Sequence, residues 1–373
     1  MTTDTERIRL NFILSTGRTG STLLSTMLNM HTEIISVSEE PFAYNLYNKY
    51  KDKRHWTDET IHEFCYDFYL FSEGKLEPQF GKPEDLLTIL KANQAQLSGV
   101  TAIKLAYLAF FPHKDKSGVT TIVDKQLKFH SLLDRIVSYY PQSKFIVLYR
   151  DPRDNVLVKI RRGIKQKRNE GLLFYAKTWN YEYNLLRKQI GKLPAGSYME
   201  VKYEDLVSQP EPVLKNMCHF LNLPFETQML EYDQQVKKDL QEQGSSLGST
   251  VKQHLSLLHE GLTQKPNTDK VGHWKTGLTE KENNMVWSVC GKTASDIGYR
   301  AEGCKPVSFF RFAFIKQWLR FYIIKRMIPG IYYSLPFSVT YAIKKMKYGK
   351  NFRNGKWQTK DFYKGTLPGN KPS

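Results

Sequence analysis

Short apolar runs alternate with longer amphipathic runs along most of the chain. The apolar runs that predict strands are RLNFILS, TEIISVS, VTAIKLAYLAF, GVTTIVDK, SKFIVLYR and SYMEVKY. The spacing of apolar residues by three and four predicts helices over STLLSTMLNMH, FHSLLDRIVSYY, LLFYAKTWNYEYNLLRKQI and EPVLKNMCHFLNL. Strands that alternate with helices predict an α/β fold with a mainly parallel central sheet flanked by helices.

The pattern changes near residue 303, which divides the chain into a predicted domain over 8–302 and an extension over 303–373. The extension has 15 Lys and Arg and one acid, so it carries +14 of the total charge of +18. Aromatic and basic residues interleave there, and residues 304–360 contain no acid. The 17 uncharged residues from Met327 to Ile343 include two Pro and a Gly, which makes them a poor membrane-spanning helix.

Two interpretations of this basic extension remain open at the sequence level. A basic, aromatic and amphipathic segment suits an anionic membrane surface. The same pattern suits a helical subdomain that packs its aromatic residues on the body and turns its lysines outward. Basic and aromatic residues also suit single-stranded nucleic acid, but no specific nucleic acid is expected.

The N-terminus and the cysteines bear on localisation. The first ten residues, MTTDTERIRL, contain no apolar run typical of a secretory signal or an anchor. The four cysteines form no CxxC pair, which indicates reduced thiols and no metal site. We expect a cytoplasmic protein, peripheral on the membrane if the extension binds lipid.

The stretch FILSTGRTGSTLLSTML predicts a strand, a glycine-rich turn and a helix, the arrangement of a phosphate-binding loop. Gly17 and Gly20 permit a close approach of an oxyanion. The loop and helix start offer donors from Arg18, Thr19, Ser21 and Thr22. An ATP or GTP loop would carry Lys after the last Gly, where this chain has Ser21. The alternative is an ordinary turn with Ser21 as the helix N-cap.

A second motif, SKFIVLYRDPRDNVLVKIRRG, predicts a buried strand that ends at Arg150 and a helix that follows. Ligands of open α/β sheets bind at the carboxyl ends of the strands. The motif could also be a charged turn with Pro152 at the first helical position, or a Walker-B-like strand that ends in Asp151.

With these two motifs together, the chain resembles the sulfotransferases that use 3′-phosphoadenosine-5′-phosphosulfate (PAPS). The resemblance implies that the first loop binds the 5′-phosphosulfate and that Arg150 binds the 3′-phosphate. VKYEDLVSQPEPVLKNMCHFLNL resembles a family segment whose Tyr, here Tyr203, lies near the adenine. VGHWKTGLTEKE resembles the segment that closes over the nucleotide, which makes Lys275 and Trp274 candidates for binding it. The similarity extends over about residues 10–299.

The resemblance also implies the catalytic groups. Arg18 would stabilise the charge that develops on the leaving phosphate. TTIVDKQLKFHS makes Lys125 a second cation for the transferred group, and the alternative is a strand-end Lys in solvent. Tyrosylprotein sulfotransferases have a Glu base 21 residues after the loop Arg, and Glu39 has this spacing. Glu40 is the adjacent alternative. The histidines considered as weaker alternatives are His113, His130 and His273.

One position departs from the family pattern. The family usually has a Ser eight residues after the motif Arg as a second donor to the 3′-phosphate, and this chain has Val158. Either a neighbouring cation, Lys159, Arg161 or Arg162, supplies the contact, or the affinity for the 3′-phosphate is lower.

The resulting expectation is a metal-independent sulfotransferase that moves the sulfuryl group of PAPS to a hydroxyl of a lipid, glycolipid or glycan. One alternative is a P-loop kinase or NTPase, against which the missing loop Lys argues. The other is a non-catalytic membrane-binding protein with the same fold, supported by Val158 alone.

Overall fold

The computed structural model describes residues 5–38, 42–72, 80–81, 83–112, 114–126, 132–165, 170–244, 262–305 and 312–348. Its strands are β1 (Arg9–Ser15), β2 (Ile34–Ser38), β3 (Thr121–Gln126), β4 (Phe145–Tyr149) and β5 (Tyr198–Lys202). They form one parallel sheet in the order β2-β3-β1-β4-β5. The predicted α/β class with a mainly parallel sheet is confirmed.

The strand order places a crevice beside β1. After β1 the chain continues on one side of the sheet, to β2 and β3, and then crosses to β4 and β5 on the other side. The connections that leave β1 and β4 therefore diverge, which is the topological switch point where open α/β sheets bind ligands. Both phosphate motifs predicted from the sequence follow these two strands.

Helices cover both faces of the sheet. In chain order they are α1 (Ser21–Asn29), α2 (Phe42–Tyr50), α3 (Asp58–Phe71), α4 (Pro83–Ala92), α5 (Gly99–Leu108), α6 (Leu133–Tyr139), α7 (Pro152–Lys165), α8 (Leu172–Ile190), α9 (Tyr203–Ser208), α10 (Pro210–Leu221), α11 (Tyr232–Gly244), α12 (Trp274–Gly277), α13 (Glu280–Asp296), α14 (Phe312–Phe321), α15 (Ile328–Ser334) and α16 (Phe337–Tyr348). Single 3₁₀ turns occur at Gln94–Gln96 and Thr227–Leu230. Alternate residues of β1 enter opposite cores: Phe12 and Leu14 lie in one, Ile13 in the other.

The predicted strand VTAIKLAYLAF is wrong, because this stretch forms helix α5. The Ser98 side chain caps the helix by accepting a hydrogen bond from the amide of Thr101 (3.1 Å). Ile103, Leu105 and Tyr107 are all fully buried, so apolar residues surround much of the helix. A helix buried on most sides shows no clear period of 3.6, and its sequence then resembles a buried strand.

In the described part of the chain, several contacts join the basic extension to the body, and two of them involve α14 and α16. In the first, the Leu173 amide at the start of α8 donates to Gln317 Oε1 of α14 (3.0 Å). In the second, the Tyr341 hydroxyl of α16 donates to the buried Asp67 of α3 (2.8 Å). Between α14 and α15 the helix continues as a π-helical turn over Tyr322–Met327. Among the described residues, no helix has the length and hydropathy needed to cross a bilayer.

Candidate active site

The loop between β1 and α1 has the backbone of an anion-binding turn. Arg18 and Gly20 both have left-handed backbones, with φ of 70° and 84°. A positive φ is unusual for a residue with a side chain, and such turns form concave sites for anions. Gly20, rather than Ser21, is the N-cap of α1, and no side chain caps the helix. The alternative of a turn capped by Ser21 is therefore wrong, and the helix start suits an anion.

The Tyr203 ring lies so close to the first loop that only glycine fits at position 20. A Cβ atom added to Gly20 would lie 2.4 Å from Cδ2 of the tyrosine ring, so a side chain there would displace the ring or the loop. The ring also contacts Arg150, whose guanidinium carbon lies 4.3 Å from the ring centroid. The structure thus brings together three predicted nucleotide-binding residues from the ends of β1, β4 and β5.

Arg150 joins the first loop to the later segment of the chain. Its guanidinium donates to the carbonyl of Arg18 (3.3 Å) and to the carbonyl of Lys270 (2.7 Å). The residue is only 4% exposed, and its buried Nε–H has no hydrogen-bond partner among the described residues. A buried donor without a partner is costly. An anionic ligand oxygen would satisfy it.

Two residues of the second motif hold the surrounding segments, and sequence reasoning missed both. The Asn155 side chain donates to the carbonyl of Gly17 (3.0 Å) and so joins α7 to the first loop. The Asp154 carboxylate accepts from the amides of Gly272 (2.7 Å) and Trp274 (2.9 Å). Burial raises the pKa of Asp154. The only sequence signal for either role was their position directly after Arg150, in RDPRDN.

The late segment predicted to close over the nucleotide does lie against the second motif. The Arg153 guanidinium stacks on the Trp274 ring, 3.7 Å from its centroid, and forms a bidentate pair with Asp151. Lys275 is exposed and forms an ion pair with Glu302 (3.0 Å). The nucleotide-binding role of Lys275 stays a prediction.

Lys125 lies near the carboxyl end of β3. It is 2% exposed, and its ammonium donates to Thr22 Oγ1 of α1 (3.2 Å). The lysine therefore lies beside the first loop, on the strand that separates β1 from β2. This position suits a cation that acts on a group bound in the loop.

The proposed bases can be placed only in part. Glu39, Glu40, His113 and His130 lie outside the described residues, so Glu39 as the base stays a prediction. His273 is exposed at the start of α12. No cluster of potential metal ligands occurs among the described residues.

Val158 is half-buried on α7, and cations surround its position in the sequence. Burial lowers the pKa of the neighbouring Lys159 to about 8. The nearby Glu182 raises this pKa, and Arg18 lowers it further. Arg161 lies against α12, where a Cβ at Gly277 would be 2.8 Å from its guanidinium.

Val158→Ser tests whether this departure weakens the 3′-phosphate site. A hydroxyl donor there would strengthen binding of the desulfated product, 3′-phosphoadenosine-5′-phosphate (PAP), by roughly 0.5–1.5 kcal/mol. Calorimetry measures this change in binding free energy. Val158→Ala is the matched control for lost packing. Unchanged or weaker binding in the Ser variant would mean that a neighbouring cation already fills the role or that Val158 is needed for packing.

The chain resembles known proteins over the region that carries this site. A protein-family model with the description "Sulfotransferase family" matches residues 11–227. A protein of Caenorhabditis briggsae is 28% identical over 180 residues, which cover 47% of this chain and 59% of that protein. A protein of Caenorhabditis elegans is 31% identical over 103 residues, or 27% of this chain and 39% of that protein. Both are named "Putative protein-tyrosine sulfotransferase".

A solved structure, the sulfotransferase domain from the curacin biosynthetic pathway, is similar over 79% of this chain and 98% of that chain, with 22% identity and a TM-score of 0.48. The matches with the two nematode proteins span less than two thirds of those proteins' own lengths. The family model itself covers more than half of the 373 residues, including both phosphate motifs. The protein belongs to the sulfotransferase family.

Proposed function

We propose that this protein is a PAPS-dependent sulfotransferase that transfers a sulfuryl group to a hydroxyl of a lipid, glycolipid or glycan. The observation that carries the proposal is the buried Arg150, which spans the first loop and the late segment and keeps one donor without a partner in the described part of the chain. Family membership supports the same donor.

The residues present fit this donor. The uncapped start of α1 and the left-handed loop favour one phosphate group. Arg150 favours a second phosphate at the end of β4, and the Tyr203 ring offers an apolar surface beside it. A molecule with anionic groups at two separate positions satisfies both regions, as PAPS does with its 5′-phosphosulfate and 3′-phosphate.

The proposed reaction forms one bond and breaks another at sulfur. PAPS supplies the sulfuryl group: the acceptor oxygen bonds to sulfur, the bond from sulfur to the 5′-phosphate breaks, and PAP leaves. The acceptor hydroxyl loses its proton to the base, for which Glu39 is proposed. Arg18 and Lys125 stabilise the charge on the leaving phosphate and on the transferred group. No metal ion is needed for these steps.

The acceptor is the least constrained part of the proposal. The basic, aromatic extension supports a membrane-borne hydroxyl, such as that of a lipid or glycolipid. A second candidate is the tyrosine hydroxyl of a protein, supported by the names of the two nematode relatives. Incubation with labelled PAPS and either a lipid and glycan extract or tyrosine-containing peptides would show which fraction takes up the label.

The donor site is tested by ligand-induced stabilisation. We expect PAP at about 100 times its dissociation constant to raise the free energy of unfolding by about 2.7 kcal/mol, and ATP with magnesium to raise it much less. The measurement is the shift in melting temperature at matched ligand concentrations. An equal shift with ATP would favour the kinase or NTPase alternative. PAP binding without any label transfer to either acceptor class would favour the non-catalytic alternative.

We also propose a cytoplasmic location. Its support is that Cys65, Cys218, Cys290 and Cys304 are all free thiols, three of them buried, as expected for a reducing compartment.

A further inference from the structure

The polar side of helix α14 and of the π-helical segment that follows it faces the body. Gln317 accepts a hydrogen bond from the Leu173 amide. Lys325 forms an ion pair with Glu182 (3.0 Å), which is almost fully buried. Phe321, 7% exposed, also lies on this side, and its ring contacts those of Phe174 and Tyr181. Among the described side chains, the inner side of the segment is therefore held by polar contacts together with this ring.

The outward side of the same segment is apolar, and we call it the outer face. Its members are 42% to 56% exposed and recur at intervals of one, three or four residues: Ile315, Trp318, Leu319, Tyr322, Ile323, Met327, Ile328 and Ile331. Residues three and four apart lie on one side of a helix. This arrangement is the reverse of a surface helix of a globular protein, which turns its apolar stripe to the core.

The segment that carries the outer face, together with α16, has charges of one sign, although Arg320 and Lys325 pair with Glu170 and Glu182 of the body. Residues 312–348 contain seven basic residues and no acid: Lys316, Arg320, Lys325, Arg326, Lys344, Lys345 and Lys347. Arg326 lies 5.5 Å from the ring centroid of Tyr322, which belongs to the outer face. Trp318 and Tyr322 stack with centroids 5.9 Å apart. Aromatic residues of this kind are enriched at the interface between bilayer and water.

We propose that the outer face docks on an anionic membrane surface, with its apolar side chains in the headgroup region and the exposed Lys316 and Arg326 on the lipid phosphates. The charge decides between a bilayer and a second copy of the chain. In a symmetric dimer the same patch would face itself, and this patch would bring basic residues against basic residues. Anionic lipid provides the opposite charge together with an apolar layer.

Docking on a membrane would also favour a lipid-borne acceptor for the proposed function, and this step alone rests on that function. A body held at a bilayer through its extension meets lipid and glycolipid hydroxyls at high local concentration. The polar contacts with α8 and α3 hold the body at the surface while the outer face enters it. Membrane binding itself does not depend on catalysis and is measured separately.

The test is sedimentation of the full chain with vesicles. We expect binding to vesicles that contain phosphatidylserine and little binding to pure phosphatidylcholine. The doubly substituted Lys316→Gln, Arg326→Gln protein loses two exposed cations of the segment that carries the outer face. It should bind roughly thirtyfold more weakly, since each basic residue near such a surface contributes about 1 kcal/mol. The matched control replaces Lys281 and Lys292 of α13, both exposed, and lowers the net charge equally; it should bind as the unmodified protein does.

The apolar contribution needs a second pair of variants. Ile323→Ser with Ile331→Ser should weaken binding on the order of tenfold or more and remove the part that resists salt. Ile164→Ser, at an isoleucine of α7 that is 71% exposed, is the control. PAP-induced stabilisation, measured on every variant, reports whether the body remains folded and whether the donor site is intact.

Three results would overturn the proposal. They are equal binding to neutral and anionic vesicles, equal loss in the Lys281/Lys292 control, and dimerisation in sedimentation velocity that the Ile323/Ile331 substitutions abolish. Any of them, with PAP stabilisation retained, leaves the proposed donor site unaffected. Loss of PAP stabilisation in the unmodified protein, with vesicle binding retained, would instead contradict the proposed function alone.

Discussion

Glu39→Gln should lower the turnover of sulfuryl transfer by roughly 10²–10⁴-fold, the usual contribution of a general base, and leave PAP affinity nearly unchanged. Glu39 follows Ser38, the last residue of β2, which pairs with Lys125 of β3 in the parallel register. The chain therefore leaves β2 at the same edge as the lysine that contacts the first loop. The measurement is the single-turnover rate with labelled PAPS, together with calorimetry of PAP binding.

Glu40→Gln is the matched control, because it removes the same charge one residue later. A strong loss with Glu40→Gln and full activity with Glu39→Gln would move the role of the base by one residue. Full activity in both variants would remove the carboxylate from the mechanism. A parallel loss of PAP affinity would mean that the substitution disturbs the donor site rather than proton transfer.

The sheet could be predicted because its strands are buried runs bounded by polar turns. Phe145–Tyr149, the whole of β4, is buried and stands between Lys144 and Arg150. Such a contrast is visible in one sequence. Helix α5 could not be predicted in this way, since Ile103 and Leu105, two residues apart, are both buried in a helix that contacts α2, α4 and β2. The period that separates strand from helix is lost there.

The site was predictable where one short stretch carries the chemistry. Arg18, Gly20 and Arg150 belong to local motifs, and the structure places them together. The contacts of Asn155 with Gly17 and of Asp154 with Gly272 join residues 138 and 118 positions apart. Nothing in a single sequence relates such distant positions, so these two residues could be recognised only once the sheet had brought the loops together.

The basic extension shows a different limit. Its helical spacing predicts that apolar residues share one side, but spacing does not tell which side meets the body. The structure turns Gln317 and Lys325 inward and Ile323 outward. Lys325 forms its ion pair with Glu182, which is buried in α8. The sequence of the extension gives no sign of where Glu182 lies. The segment thus packs on the body, as one interpretation of the sequence had it, but with Lys325 inward; binding to a membrane stays a proposal.

Arg150→Ala should weaken PAP binding by about 2 kcal/mol or more, which is at least roughly thirtyfold, as for removal of one partner from a buried, hydrogen-bonded charge pair. The guanidinium is buried against Tyr203, and its Nε–H is the donor left for a ligand in the described part of the chain. The same side chain donates to two carbonyls. We therefore expect a lower melting temperature without ligand as well, so calorimetry is done below that temperature.

Arg150→Lys separates the charge from the geometry. Lysine keeps the positive charge but has no planar set of donors, so it should recover part of the PAP affinity and little of the bridge between the carbonyls of Arg18 and Lys270. Arg187→Ala, on α8 and bonded to the carbonyl of Asp296, is the control for the loss of one arginine. If Arg150→Ala and Arg187→Ala bind PAP equally well, Arg150 does not contact the 3′-phosphate. The second anionic group must then bind elsewhere, with Lys159 and Arg161 as the next residues to replace.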